Sequence, residues 1–121
     1  MDGTDSSILV VEDEVFVAWD IAQTLEDAGY RVTGPAHTLE EGMALLDTTI
    51  NHAILDVNLG DKTVWPLADR LQTLGIPFVF ATADLGHPEL EERFSCAPKL
   101  SKPIDSRRLL DAIGGEAPVS S

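Results

Sequence analysis

The feature that most constrains this chain is an alternation. Five short apolar runs are each followed by a segment whose apolar residues recur every three to four positions. Ile8–Val11 is a continuous apolar run, closed by Glu12, Asp13 and Glu14. From Val15 the period becomes helical, with Val17, Ile21, Leu25 and Ala28 on one face and Gly29 supplying the stop. Tyr30–Pro35 reads as a second, more polar strand. Thr38 followed by Glu41 is a capping box that opens a helix carrying Leu39, Met43, Leu45 and Leu46. Ala53–Asp56 is a third strand, again ending on an acid. Thr63 is placed to cap a third helix whose apolar face is Val64, Leu67, Ala68, Leu71 and Leu74. Pro66 lies in its first turn, where a missing N–H costs nothing, and Gly75 ends it. Pro77–Ala81 is a fourth strand, and Pro88 starts a fourth helix of about two turns through Phe94. Ala97–Leu100 is a weak fifth strand, and Asp105 caps a last helix with Leu109, Leu110 and Ile113.

Five β–α units in alternation call for an α/β fold, a five-stranded parallel sheet with helices on both faces. The first, third and fourth strands are apolar throughout, as central parallel strands must be. The second and fifth carry Arg31 and Pro35, or Pro98 and Lys99, which edges tolerate. Placing those two outside gives the strand order 2-1-3-4-5, the flavodoxin-like doubly wound arrangement.

With 121 residues the chain makes one domain, spanning residues 7–114, with residues 1–6 and 115–121 expected to be flexible termini. Eight Lys and Arg against 21 Asp and Glu give a net charge of −13. That balance repels a nucleic-acid backbone and an anionic membrane, so neither is expected as a partner. A single cysteine, Cys96, suits a reducing cytoplasm, and the N-terminus shows no signal-peptide pattern. The chain is expected to be monomeric and cytoplasmic. Only eight residues follow the last helix, so no attached output domain is expected.

In such sheets the working crevice lies at the carboxyl ends of the strands, beside the switch point between strands 1 and 3. There the sequence places Glu12 and Asp13, Asp56, Thr82 and Lys102, from four different strands. Neighbouring carboxylates repel unless something positive sits among them. Oxygen ligands without His or Cys favour Mg²⁺ over zinc, and Mg²⁺ also favours a phosphate co-ligand. Lys102 and the Thr82 hydroxyl suit two further phosphoryl oxygens. Asp56, alone on the central strand, is the best nucleophile to carry a phosphoryl group. Each residue alone has an ordinary structural reading, such as an acid capping the next helix. The set carries the specificity.

ILVVEDE, ILDVNLGD, FAT and SKP, taken in order, resemble a bacterial response-regulator receiver domain over nearly the whole chain. Ile54–Gly60 and Pro77–Asp84 look like an alphaproteobacterial subgroup named for a Phe-Ala-Thr-Gly-type motif after strand 4. The resemblance implies phosphoryl transfer to Asp56 from a sensor histidine kinase or a histidine phosphotransfer protein, in a two-component system. It makes Asp13 the more direct Mg²⁺ ligand and Glu12 one that acts largely through water. Asn58 matches the position whose backbone carbonyl joins Asp56 on the metal. Thr82 and Lys102 match the phosphoryl-binding pair, and Pro103 a proline that is often cis. A downstream protein would bind the face of helix 4, strand 5 and helix 5. Such a domain phosphorylates and dephosphorylates itself but is not a turnover enzyme.

The sequence departs from the pattern in two places. Lys99 stands where many receivers carry a switching aromatic, and reads as a solvated edge lysine. The motif's Gly is replaced by Ala83, with Asp84 two residues past Thr82, near the path of an attacking water. There Asp84 reads either as an influence on hydrolysis of the phosphorylated Asp56 or as an ordinary loop acid. Cys96 reads as a small buried side chain, Trp19 as partly exposed, and Trp65 as packing close to the acidic pocket. His37, His52 and His87 form no metal-ligand spacing. The competing functions are a phosphorylation-independent interaction module and a small phosphatase of the haloacid-dehalogenase type. The phosphatase would need a second acid where Asn58 stands. A flavodoxin-like cofactor site is opposed by Glu12-Asp13-Glu14, where a phosphate loop would be.

Overall fold

A computed structural model describes residues 7–114, so the expectation of flexible termini lies outside the described residues. The elements are β1 (Ser7–Val11), α1 (Val15–Asp27), β2 (Arg31–Ala36), α2 (Leu39–Ala44) with a 3₁₀ turn at Leu45–Asp47, and β3 (His52–Leu55). Two very short strands follow, β4 (Asn58–Leu59) and β5 (Lys62–Thr63). The chain continues through α3 (Trp65–Leu74), β6 (Phe78–Thr82), α4 (Pro88–Glu92), β7 (Lys99–Ser101) and α5 (Ser106–Gly114). The main sheet runs β2-β1-β3-β6-β7 and is parallel at every pairing. Counting only its five strands, this is the expected order 2-1-3-4-5.

Alternation along the central strands feeds two cores. Leu9, Val11, Leu55, Phe78 and Phe80 pack against Leu67 and Leu71 of α3 and against Leu90 and Phe94. Ile8, Val10, Ile54, Val79 and Ala81 face the other way, onto Ile21 and Leu25 of α1 and Leu109 and Ile113 of α5. Burial on both faces explains why these strands read as unbroken apolar runs.

β2 is an irregular edge. Its register with β1 shifts between Leu9 and Val11, across from Gly34-Pro35. Gly34 has φ +99°, and a Cβ there would come within 2.7 Å of Ala36 N, so the bend needs glycine. Gly34–Pro35 and Lys102–Pro103 are both cis, the second as the resemblance implied.

Several local expectations need correction. Thr63 does not cap α3. It pairs with Asn58 in an antiparallel hairpin, and the N-cap position falls on Val64, which makes no side-chain cap. α4 is five residues rather than two turns, and the fifth strand begins at Lys99 rather than Ala97. Cys96 is exposed rather than buried. Trp65 does pack, stacked on Phe94 at 5.6 Å between ring centroids and edge-on to Phe80 at 5.9 Å. No helix among the described residues is long and apolar enough to cross a membrane.

Candidate phosphoryl-acceptor site

β1 ends at Val11, so Glu12 and Asp13 stand just beyond its carboxyl end, and Asp56 stands just beyond β3. Thr82 closes β6, and Lys102 follows β7. The strand ends are tied together: Asp56 N–H donates to Val11 O at 2.9 Å, and Lys102 N–H to Thr82 O at 3.1 Å. A cleft of about 230 Å³ opens here, with Asp13, Asp56, Asn58, Thr82 and Lys102 among its lining. All six residues singled out from the sequence meet at this end of the sheet.

Glu12, Asp56 and Thr82 are buried although polar, at 1%, 5% and 1% exposure. Burial of that kind needs partners. Lys102 Nζ lies 2.7 Å from Glu12 Oε1 and donates to Asp56 Oδ2 at 3.0 Å, and Glu14 Oε1 stands farther out at 3.7 Å. Glu12 Oε2 accepts from Glu14 N–H at 3.1 Å. Burial pushes the Glu12 carboxyl up to about 7, although the hydrogen bonds from Lys102 and Glu14 pull the other way. Burial works against the Lys102 ammonium, but its bonds to Glu12 and Asp56 outweigh that, and its pKa rises. The site therefore holds more negative charge than one lysine balances.

Glu12, Asp13 and Asp56 each bring a carboxylate oxygen within 4.8 Å of the other two. Oxygen-only donors at that spacing fit a hard divalent cation. Asp13 is held by a feature the sequence reading missed: Gly60 N–H donates to Asp13 Oδ2 at 3.1 Å from the turn of the β4–β5 hairpin. The signal was present in Gly60-Asp61, a two-residue hairpin turn, with Gly60 at φ +70°. Asn58, the first residue of β4, is exposed at the rim.

The Thr82 side departs from expectation at Lys99, while Asp84 makes the contacts of a loop acid. Thr82 Oγ1 accepts from Asp84 N–H at 3.2 Å. Asp84 Oδ1 accepts from Gly86 N–H at 3.1 Å, and Oδ2 lies 3.1 Å from His87 Nε2. Asp84 thus shapes its own loop. Lys99 is not a solvated edge residue: its Nζ donates to the carbonyls of Phe94 (3.0 Å), Ala97 (2.6 Å) and Ser95 (3.3 Å). It closes the chain just after α4, where carbonyls at a helix end need donors, and at Phe94 O it joins the Ala97 N–H, which donates at 3.1 Å.

No family model matches the chain. Known structures do. The chain superposes on a response-regulator receiver domain protein, described as CheY-like, from Methanospirillum hungatei JF-1. The TM-score is 0.83 at 26% identity, covering 93% of each chain. It also matches SdrG from Sphingomonas melonis Fr1, 34% identical over 94% of this chain and 97% of that one, with a TM-score of 0.78. Among curated proteins it is 29% identical over 82 residues to the phyllosphere-induced regulator PhyR of Methylorubrum extorquens. That stretch is 64% of this chain and 31% of PhyR, so the chain spans about a third of that relative. Fold, strand order and similarity agree: the chain belongs to the response-regulator receiver family.

Proposed function

We propose that the domain accepts a phosphoryl group on Asp56 from the phosphohistidine of a sensor histidine kinase or a histidine phosphotransfer protein, and signals by the change that follows. The observation that supports this most is the position of Asp56. It is buried at the switch point, 3.0 Å from Lys102, with two further acids close by and Thr82 across the cleft.

In the reaction, an Asp56 carboxylate oxygen bonds to phosphorus as the phosphorus–nitrogen bond of the donor breaks. The electron pair leaves on the imidazole nitrogen, which takes up a proton. Such transfers ask a protein for positioning and charge neutralisation rather than covalent chemistry of its own. Glu12, Asp13, Asp56 and the Asn58 carbonyl would hold Mg²⁺. When bound, Mg²⁺ supplies positive charge to the phosphoryl oxygens. Lys102, already on Asp56 Oδ2, turns to a phosphoryl oxygen, and the Thr82 hydroxyl donates to another. Drawing Thr82 inward pulls on Asp84, whose N–H shares its oxygen. The loop and α4 then remodel the face of α4, β7 and α5 for a downstream protein.

The donor must lie over the mouth of the cleft. Phe16, Trp19 and Val15 at the start of α1 are 87%, 63% and 58% exposed. Phe16 and Trp19 line one groove with Lys102, Pro103 and Ile104. We take this apolar rim as the donor's footing. The free thiol of Cys96 suits action in the reducing cytoplasm.

Incubation with acetyl phosphate, with and without Mg²⁺, followed by intact mass measurement, tests the proposal. One phosphoryl group added only with Mg²⁺, and none on Asp56→Asn, is expected. Labelling that persists in Asp56→Asn would overturn it.

A further inference from the structure

The backbone of Glu12 is gripped on both sides by the segment that joins β2 to α2. Its N–H donates to Ala36 O at 2.9 Å, and His37 Nδ1 lies 3.0 Å from its carbonyl oxygen. A carbonyl only accepts, so Nδ1 carries the proton. The β1–β2 register ends at Val11 and Ala36, because the chain then turns into α2. The His37 ring N–H stands in for the next donor of the ladder.

His37 is itself fixed. Its backbone N–H donates to Glu41 Oε1 at 2.7 Å, and Glu41 N–H donates to Thr38 Oγ1 at 3.0 Å. The N-terminal cap of α2 thus holds the segment carrying the imidazole, and the imidazole holds the peptide between Glu12 and Asp13. That peptide links both acids, so its tilt aims the two carboxylates together.

We propose that His37 is a positioning residue for the Glu12–Asp13 acid pair, and through that pair for divalent-cation binding. The role needs no titration, since Nδ1–H is present in one neutral tautomer and in the imidazolium alike. It rests on the reading of the cleft as a Mg²⁺-dependent phosphoryl-acceptor site. Groups that orient metal ligands from behind commonly set affinity while touching no metal.

Two substitutions separate the hydrogen bond from bulk. His37→Leu fills the space without a donor, and His37→Asn returns an N–H at the same number of bonds from the backbone. Mg²⁺ binding is measured by calorimetry on the full chain, alongside the melting temperature without metal. The Mg²⁺ concentration for half-maximal labelling by acetyl phosphate is measured in parallel. His37→Leu is expected to weaken Mg²⁺ binding about tenfold, the lower end for such partners. It should raise the half-maximal Mg²⁺ concentration and leave labelling at saturating Mg²⁺ near the parent rate, and His37→Asn should recover most of the affinity. Unchanged Mg²⁺ affinity in His37→Leu would overturn the proposal. So would equal losses in both variants that merely track equal falls in melting temperature. Should His37→Leu fail to fold, His37→Met, which also fills the space without an N–H donor, takes its place under the same criteria. A parent protein that neither binds Mg²⁺ nor takes a phosphoryl group overturns the reading beneath. A parent that does both, beside an unaffected variant, overturns the role of His37 alone.

Discussion

The two halves of the cleft are built differently. On the acid side, Glu12 and Asp56 are fastened through their own backbones to neighbouring strands, by Glu12 N–H to Ala36 O and Asp56 N–H to Val11 O. On the Thr82 side, the five-residue α4 is too short to be stable by itself and relies on side chains. An Arg93–Asp69 ion pair ties it to α3, Phe94 stacks on Trp65, and Lys99 holds three carbonyls. Strand-end bonds make a fixed frame for charge, whereas side-chain tethers can be exchanged one at a time. We read the first half as the part that binds and reacts and the second as the part that moves.

The largest effect should come from the residue that bridges the halves. Lys102→Met removes the cation facing Glu12 and Asp56 and is expected to slow labelling by acetyl phosphate by on the order of 10²-fold. Stopped-flow or quenched-flow mass measurement would show it. A loss of less than about threefold would mean that the acid side suffices without Lys102.

Next is the packing under α4. Phe94 is 2% exposed and touches Trp65, Phe78 and Phe80. Phe94→Ala should cost about 3–5 kcal/mol in urea unfolding, with amide protection lost first around α4. Protection lost equally at the end of β1 would erase the contrast.

Lys99→Met tests the tether directly. It removes the Nζ donor from the Ser95 and Ala97 carbonyls and leaves Phe94 O with the Ala97 N–H alone. The change should cost about 1–3 kcal/mol, with faster exchange across residues 88–98 and an unchanged labelling rate.

The smallest effect concerns pH. The Glu12 carboxyl titrates at about 7 in the folded protein, against an ordinary value of 4.5. Between those values the folded state binds more protons than the unfolded one. Without metal, stability should therefore fall as pH rises through that window. Glu12→Gln should flatten the slope between about pH 5 and 7.5 in thermal melts. In the same range Mg²⁺ binding should strengthen with pH and release a proton, read by calorimetry in two buffers.

The sequence made the frame legible because burial on both faces leaves a plain trace. Runs such as Ile8–Val11 and Phe78–Thr82 can be little else than central parallel strands, and the strand order then places Glu12, Asp13, Asp56, Thr82 and Lys102 at one end. What could not be read were contacts set by short loops. Thr63 looks like a helix cap in the sequence because its pairing with Asn58 depends on the turn at Gly60, a signal only two residues long. Lys99 looks like an edge guard because the carbonyls it meets come from a loop whose path no periodicity encodes. His37 carries no signal in the sequence, since its partner is a backbone oxygen 25 positions away and invisible to any spacing rule.

Hydrogen exchange on the domain before and after phosphorylation would test most directly whether one half holds while the other moves. The account predicts changed exchange in residues 83–98 and along β7, with the end of β1, the β4–β5 hairpin and α2 nearly unchanged. Changes centred on the acid side, or spread evenly over both halves, would contradict it.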